Sequence, residues 1–227
     1  DPSLSAHVPV FAGGSAAAGG DESRVGGDEK KAQAGECILL SQDEARFPLV
    51  PTLCTTLGVK GHRPVVGTWD NKDLVYSFAT MNAVTGQLTT RLVESPAKAK
   101  RRTGLSKTAR LQHAFARHLC DIARAYPAAL NKSVLLTIDN APWHRGTAIT
   151  EVLTAQPHLH LYRLPSYSPQ LNLIERFWRV LRRRATHNRL FLSMAELRTA
   201  LRASFCYFST MRHKVSSLIH SPRKRKE

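Results

Sequence analysis

The run Val134-Leu135-Leu136-Thr137-Ile138 has no polar alternation and leads straight into Asp139-Asn140-Ala141-Pro142. A strand of that kind presents apolar or β-branched side chains to both faces of its sheet, so both faces must be covered. Helices are the usual cover, and the chain supplies them. Leu111, Phe115, Leu119 and Ile122 are spaced by four, four and three, which predicts a helix over 107–126. Residues 147–155 fit a short helix, 159–164 (LHLYRL) another strand, and 172–185 and 193–208 two closing helices. Upstream, CILLS (37–41) reads as a buried strand ending at Gln42-Asp43-Glu44. PVVGTW (64–69) and LVYSFATM (74–81) read as strands joined by the turn Asp70-Asn71-Lys72-Asp73, and QLTTRLV (87–93) as a third after Thr85-Gly86. The expectation is an α/β domain whose mixed central sheet begins as an antiparallel meander and continues with parallel strands flanked by helices.

Three segments are expected. Residues 1–36, rich in Gly, Ala, Ser and Asp, bury almost no apolar area and read as a disordered leader or linker. Residues 37–210 form the globular domain, and 211–227, ending in SPRKRKE, a basic tail that could touch phosphate. Charge is divided along the same line. The whole chain carries 33 Lys and Arg against 17 Asp and Glu, a formal +16, yet residues 1–36 hold six acids and three bases. The remainder is therefore at +19, a field that attracts polyanions, of which nucleic acid is the commonest. Cys37, Cys54, Cys120 and Cys206 show neither CxxC nor zinc spacing and read as reduced thiols. No apolar run approaches the ~18 residues of a membrane span, and no signal peptide is evident, which points to a cytoplasmic protein with no membrane partner.

In so basic a domain the placement of three acids is informative. Asp43 and Asp139 each follow an apolar strand, at the ends where α/β sheets place ligand sites. If those strands are parallel neighbours, the two carboxylates converge; without a cation they repel and raise one pKa, and with one they form an oxygen site for a hard metal. Asp43 could be a turn acid, or its neighbour Glu44 the relevant group, and Asp139 could cap the turn after it. Glu175 lies beside the apolar face made by Ile174, Phe177, Trp178 and Leu181, where it either reaches inward or pairs with Arg179 one turn on.

The stretch IDNAPWHRG, followed at this distance by LPSYSPQLNLIERFW, resembles the DDE domain of IS630/Tc1/mariner transposases. SQDEARFPLVPTL and WDNKDLVYSFATMNAVTGQL are similar to its IS630 branch, so the resemblance covers roughly residues 37–210. It implies an RNase H-like fold and a catalytic, metal-binding triad that falls on Asp43, Asp139 and Glu175, with 35 residues between the last two. It further implies two Mg²⁺ ions (with Mn²⁺ able to substitute), DNA cleavage and strand transfer at element ends, a TA target, and a homodimer or larger assembly in the active complex. A bacterial, nucleoid-associated setting follows from the same likeness. The sequence departs from the family in reading Pro165-Ser166-Tyr167-Ser168-Pro169-Gln170-Leu171-Asn172-Leu173 for the usual Pro-Pro-Tyr-Ser-Pro-Glu-Leu-Asn-Pro. The Gly/Ala leader also cannot supply the tandem helix-turn-helix region that precedes such domains.

Around the triad, Asn140 and Asn172 could donate to the carboxylates or serve as turn and cap residues. His144 could orient a water or contact phosphate, or be a hydrogen-bonded loop histidine, and Trp143 reads as packing. Lys98, Lys100, Arg101, Arg102 and Lys107 form a basic loop, while Arg176, Arg179, Arg182, Arg183 and Arg184 lie largely on the polar side of the Glu175 helix. Both clusters suit sequence-independent contact with double-stranded DNA. Two other readings stay open: a non-catalytic or domesticated DNA-binding remnant, and a structure-specific RNase H-like nuclease, which the Asn-Ala-Pro-Trp-His and Ser-Pro-Gln-Leu-Asn stretches disfavour.

Overall fold

The computed structural model describes residues 27, 28, 30–62, 64–97, 104–165 and 174–220. Strands β1 (Cys37–Pro48), β2 (Leu74–Asn82) and β3 (Leu88–Ser95) come first. Helix α1 (Lys107–Ala125), β4 (Ser133–Ile138), α2 (Thr147–Ala155), β5 (Leu159–Arg163), α3 (Ile174–Ala185), α4 (Met194–Thr210) and α5 (Arg212–His220) follow. The sheet order is β3-β2-β1-β4-β5. Pairing is antiparallel from β1 to β3 and parallel between β1 and β4 and between β4 and β5. This is the mixed sheet the sequence implies, flanked by helices in an RNase H-like arrangement.

Side-chain alternation assigns the two faces. Leu40, Tyr76, Phe78, Val134, Leu136 and Ile138 pack against Leu111, Phe115, Leu119 and Ile122 of α1, with α2 alongside. On the other face, Ala45, Phe47, Val75, Ala79 and Met81 pack against Phe177, Trp178 and Leu181 of α3 and Leu197, Leu201, Phe205 and Phe208 of α4. Each fully buried Leu or Phe contributes about 1.5–3 kcal/mol relative to exposure, so the two layers hold the sheet from both sides. Helix α1 starts where the Ser106 hydroxyl accepts the Ala109 N–H at 3.1 Å.

The structure corrects the sequence reading in several places. β1 does not stop at Ser41; it continues through Asp43 and Glu44 to Pro48, because Ala45 and Phe47 keep burying on one face. Asp43 and Glu44 are thus mid-strand neighbours aimed at opposite layers. Residues 64–69 form no strand, and Val65 is 91% exposed. The physical reason is that both edges of β2 are already taken, one by β1 and one by β3. The meander is therefore β1-β2-β3, with residues 49–73 as a long connector. It is tied down where Asn188 donates to the Cys54 carbonyl at 3.0 Å and accepts the Cys54 N–H at 2.9 Å.

Order also extends beyond 37–210. Residues 30–33 are helical, and Ala32 packs with Leu39 and Ala83. Helix α5 buries Val215 completely. It sits so close to the β2–β3 turn that a Cβ on Gly86 (φ +67°) would meet the Arg212 carbonyl at 2.6 Å. The four cysteines are free thiols. No described helix is long and apolar enough to cross a membrane.

Candidate active site

β1 and β4 run side by side in register, Leu40 opposite Leu136 and Ser41 opposite Thr137. Two residues further along each chain come Asp43 and Asp139, so the register brings these acids level at the C-terminal edge of β4. β4 ends at Ile138, which frees Asp139 from the ladder, while Asp43 is still held in β1.

The two carboxylates have opposite environments. Asp43 faces the α3 layer, where the Trp178 indole N–H donates to its Oδ2 at 3.0 Å. Its pKa is pushed up to about 7, first by burial and then by the charge of Glu44, with Asp139 adding to the rise; the Trp178 bond opposes them. Burial lowers the pKa of Arg182, one turn beyond Trp178, and the Asp43 charge partly offsets that. Asp139 is half exposed, at 52%. Its pKa is lowered, chiefly by a hydrogen bond from His144 and then by the Ala141 N–H, against some burial.

His144 closes the short 3-10 turn Pro142–His144 and folds back on the α1 side of the sheet, its ring 4.4 Å from that of Phe115. The ring has no exposed surface. Its Nε2 lies 2.7 Å from Glu44 Oε1, and its Nδ1 lies 3.0 Å from Asp139 Oδ1 and 3.2 Å from the Asp139 carbonyl. Burial lowers its pKa, but the bonds to Asp139 and Glu44 outweigh it and raise the value to about 9. Both ring nitrogens are engaged, which leaves none for a DNA phosphate. Trp143 packs in the α1 layer. Asn140 donates to the Leu164 carbonyl at 2.8 Å, tying the ends of β4 and β5 together.

Glu175 is exposed in the first turn of α3, three residues before the tryptophan that touches Asp43. Residues i and i+3 share a side of a helix, so Glu175 stands one turn above the Asp43 contact. No ion pair joins it to Arg179 within 4 Å among the described residues. Asn172 lies outside the described residues, as do Lys98, Lys100, Arg101 and Arg102. The Lys107 ammonium lies 5.6 Å from the Tyr76 ring centroid, and Arg176 donates to the Leu218 carbonyl at 3.0 Å. Arg179 and Arg183 are exposed.

Two donor sets share Asp139: the carboxylates of Asp43, Asp139 and Glu175 expected from the sequence, which do not gather within 4.8 Å of one another, and the group Glu44, Asp139 and His144, whose donor atoms do. The first is an all-carboxylate set suited to a hard divalent cation. Burial and the charges of Glu44 and, less, Asp139 raise the Asp43 pKa, and a cation beside Asp43 would relieve that repulsion. Sequence reasoning missed Arg163, whose Nη2 donates to the His144 carbonyl at 2.7 Å and which is influenced by the Asp139 charge. Its signal was available: Arg163 ends β5 opposite Ile138, one residue before Asp139. Trp178 was read only as packing, because nothing in a helical stripe tells which indole N–H finds a carboxylate.

Comparison with known proteins bears on this arrangement. The family described as DDE superfamily endonuclease matches residues 39–198. Among solved structures, the chain is similar to the Mos1 transposase paired-end complex with left transposon end, at 17% identity and TM-score 0.56, covering 88% of this chain and 59% of that one. It is likewise similar to the mariner Mos1 paired end complex with Mg (18%, TM-score 0.55, covering 91% and 61%). For the catalytic domain of Mos1 mariner transposase the values are 15% and 0.54, covering 87% and 85%. The chain thus spans about three-fifths of the Mos1 chains in those complexes. No curated protein matches.

Proposed function

Because the chain belongs to the DDE superfamily of endonucleases, we propose that it is the catalytic domain of a Tc1/mariner-type transposase, of the IS630-like branch, that cuts and joins DNA phosphodiesters with Asp43, Asp139 and Glu175. The observation that carries this reading is the register of two parallel strands, which sets Asp43 and Asp139 level, each two residues past a paired position. The Mos1 structures similar to it hold transposon ends and, in separate cases, Mg or Mn. Two Mg²⁺ or Mn²⁺ ions held by the three carboxylates would supply charge to activate the attacking oxygen and to stabilise the departing 3′-oxygen.

The protein's own groups divide the remaining work. Trp178 and the β1 ladder fix Asp43, so its carboxylate is in place before substrate arrives. Asp139 keeps an exposed edge toward solvent and the scissile phosphate, and Glu175, exposed in the first turn of α3, would complete the set of carboxylates. Water as nucleophile breaks a strand to leave a 3′-OH; that hydroxyl as nucleophile joins the strand to a second DNA, one P–O bond forming as another breaks. Arg179 and Arg183, with the Lys98–Lys107 cluster, neutralise backbone phosphates without reading bases. Two copies acting on two ends make a dimer the smallest active assembly.

Supercoiled plasmid incubated with Mn²⁺ tests the reading. Wild type should convert it to open circles, chelator should stop the conversion, and Asp139→Asn or Glu175→Gln should slow it by at least about a hundredfold. Equal nicking by all three proteins removes the carboxylate assignment. Plasmid binding by all three without nicking favours a non-catalytic DNA-binding remnant.

A further inference from the structure

The Glu44, Asp139 and His144 cluster has the spacing of a metal site, but its hydrogen bonds describe something else. Both ring nitrogens of His144 face carboxylate oxygens, at 2.7 and 3.0 Å. Glu44, 4% exposed, also accepts the Gln42 amide at 2.9 Å. A cation there would need a bare imidazole nitrogen at roughly 2.0–2.1 Å and would have to displace a ring sealed between Phe115 and the sheet. The bonds to Asp139 are selective. His144 Nδ1 bonds the Asp139 carbonyl at 3.2 Å and lies 3.0 Å from Oδ1, the same oxygen that accepts the Ala141 N–H at 2.9 Å. Among the described residues no donor reaches Oδ2.

We infer that Glu44 and His144 are positioning residues: Glu44, fixed in β1, holds the His144 ring, and His144 pins Asp139 through Oδ1 so that Oδ2 is presented to the cation site shared with Asp43. This rests on the assignment of Asp139 as a metal ligand. The clamp spans the sheet from β1 to the turn after β4, and Arg163 steadies it by holding the His144 carbonyl. A carboxylate at a strand end, half in solvent, would otherwise sample several rotamers. Partners that orient a ligand in this way typically change metal affinity by about 10–100-fold.

The test is a double-mutant cycle read by Mn²⁺ affinity, measured calorimetrically on the full chain without DNA, with thermal unfolding followed alongside. Glu44→Ala and His144→Asn should each weaken Mn²⁺ binding about tenfold or more with stoichiometry unchanged, and the double variant should be no worse than either single one. Glu44→Gln, which keeps an acceptor for the ring, should recover part of the loss. In the metal-free protein a slowly exchanging, downfield His144 ring N–H should be visible by NMR and vanish in Glu44→Ala. Losses that multiply would make Glu44 and His144 independent ligands and overturn the clamp. So would unchanged affinity in Glu44→Ala while Asp139→Asn binds weakly, which leaves the active-site reading intact. Unchanged affinity in Asp139→Asn removes that reading, and the clamp with it. If His144→Asn does not fold, Glu44→Ala, Glu44→Gln and the NMR signal decide the matter alone.

Discussion

At the residue scale, two buried groups show how environment rather than identity sets a role. His118 is completely buried and accepts or donates a single bond, to Thr80 Oγ1 at 2.8 Å, and burial lowers its pKa to about 3. The unfolded chain takes up that proton near pH 6.5 and the folded protein does not. Stability therefore falls as pH drops below about 6.5, by up to about 1.4 kcal/mol per pH unit for this group. Urea denaturation at pH 7 and pH 5 should show the decline, and His118→Gln should flatten it; an unaltered slope would assign the decline to other groups. Trp178 behaves differently, since its indole serves packing and Asp43 at once. Trp178→Phe keeps a ring in the core but removes the only side-chain donor to Asp43 among the described residues, at a cost of about 1–3 kcal/mol in unfolding free energy. Plasmid nicking should slow at limiting Mn²⁺ more than at saturating Mn²⁺, because the loosened group is a carboxylate ligand.

At the scale of elements, the helices were legible because their apolar spacing has one solution. The stripe Leu111, Phe115, Leu119, Ile122 is buried as its period requires, and so is Ile174, Phe177, Trp178, Leu181. The run at 134–138 is an interior strand with parallel neighbours on both sides, as its continuous apolar pattern requires. β1 was harder. Two adjacent acids look like a strand's end, and only the layers packed on each face explain how a strand passes through them. Residues 64–69 were misread for the converse reason, since β-branched composition cannot say whether a sheet edge is free. Within the site, Asp139 was marked by its strand, and Glu44 stayed an unresolved alternative to Asp43 because partners 100 residues apart have no local trace. Helix α3 connects packing to chemistry. Phe177→Ala should cost about 3–5 kcal/mol and, by loosening the element that carries Trp178 and Glu175, reduce nicking even in the fraction that stays folded. Equilibrium denaturation with parallel nicking assays on the folded fraction checks both effects.

For the whole molecule, the sheet supplies geometry and the charge supplies affinity. A formal +16, with the acidic excess confined to residues 1–36, leaves the domain a polycation whose few acids include the three proposed as ligands. DNA binding should weaken linearly in log–log plots against salt, and Arg179→Ala with Arg183→Ala should lower the slope by about two while leaving sequence preference untouched. An unchanged slope would place the phosphate contacts elsewhere. The central claim is narrower than this field: cations belong between Asp43, Asp139 and Glu175, with His144 and Glu44 behind them. Anomalous diffraction from crystals soaked in Mn²⁺ tests it most directly. Manganese density beside the carboxylates of Asp43 and Asp139, with the His144 ring still bonded to Glu44, is the expected result; a manganese ion bound to His144 and Glu44 would contradict it.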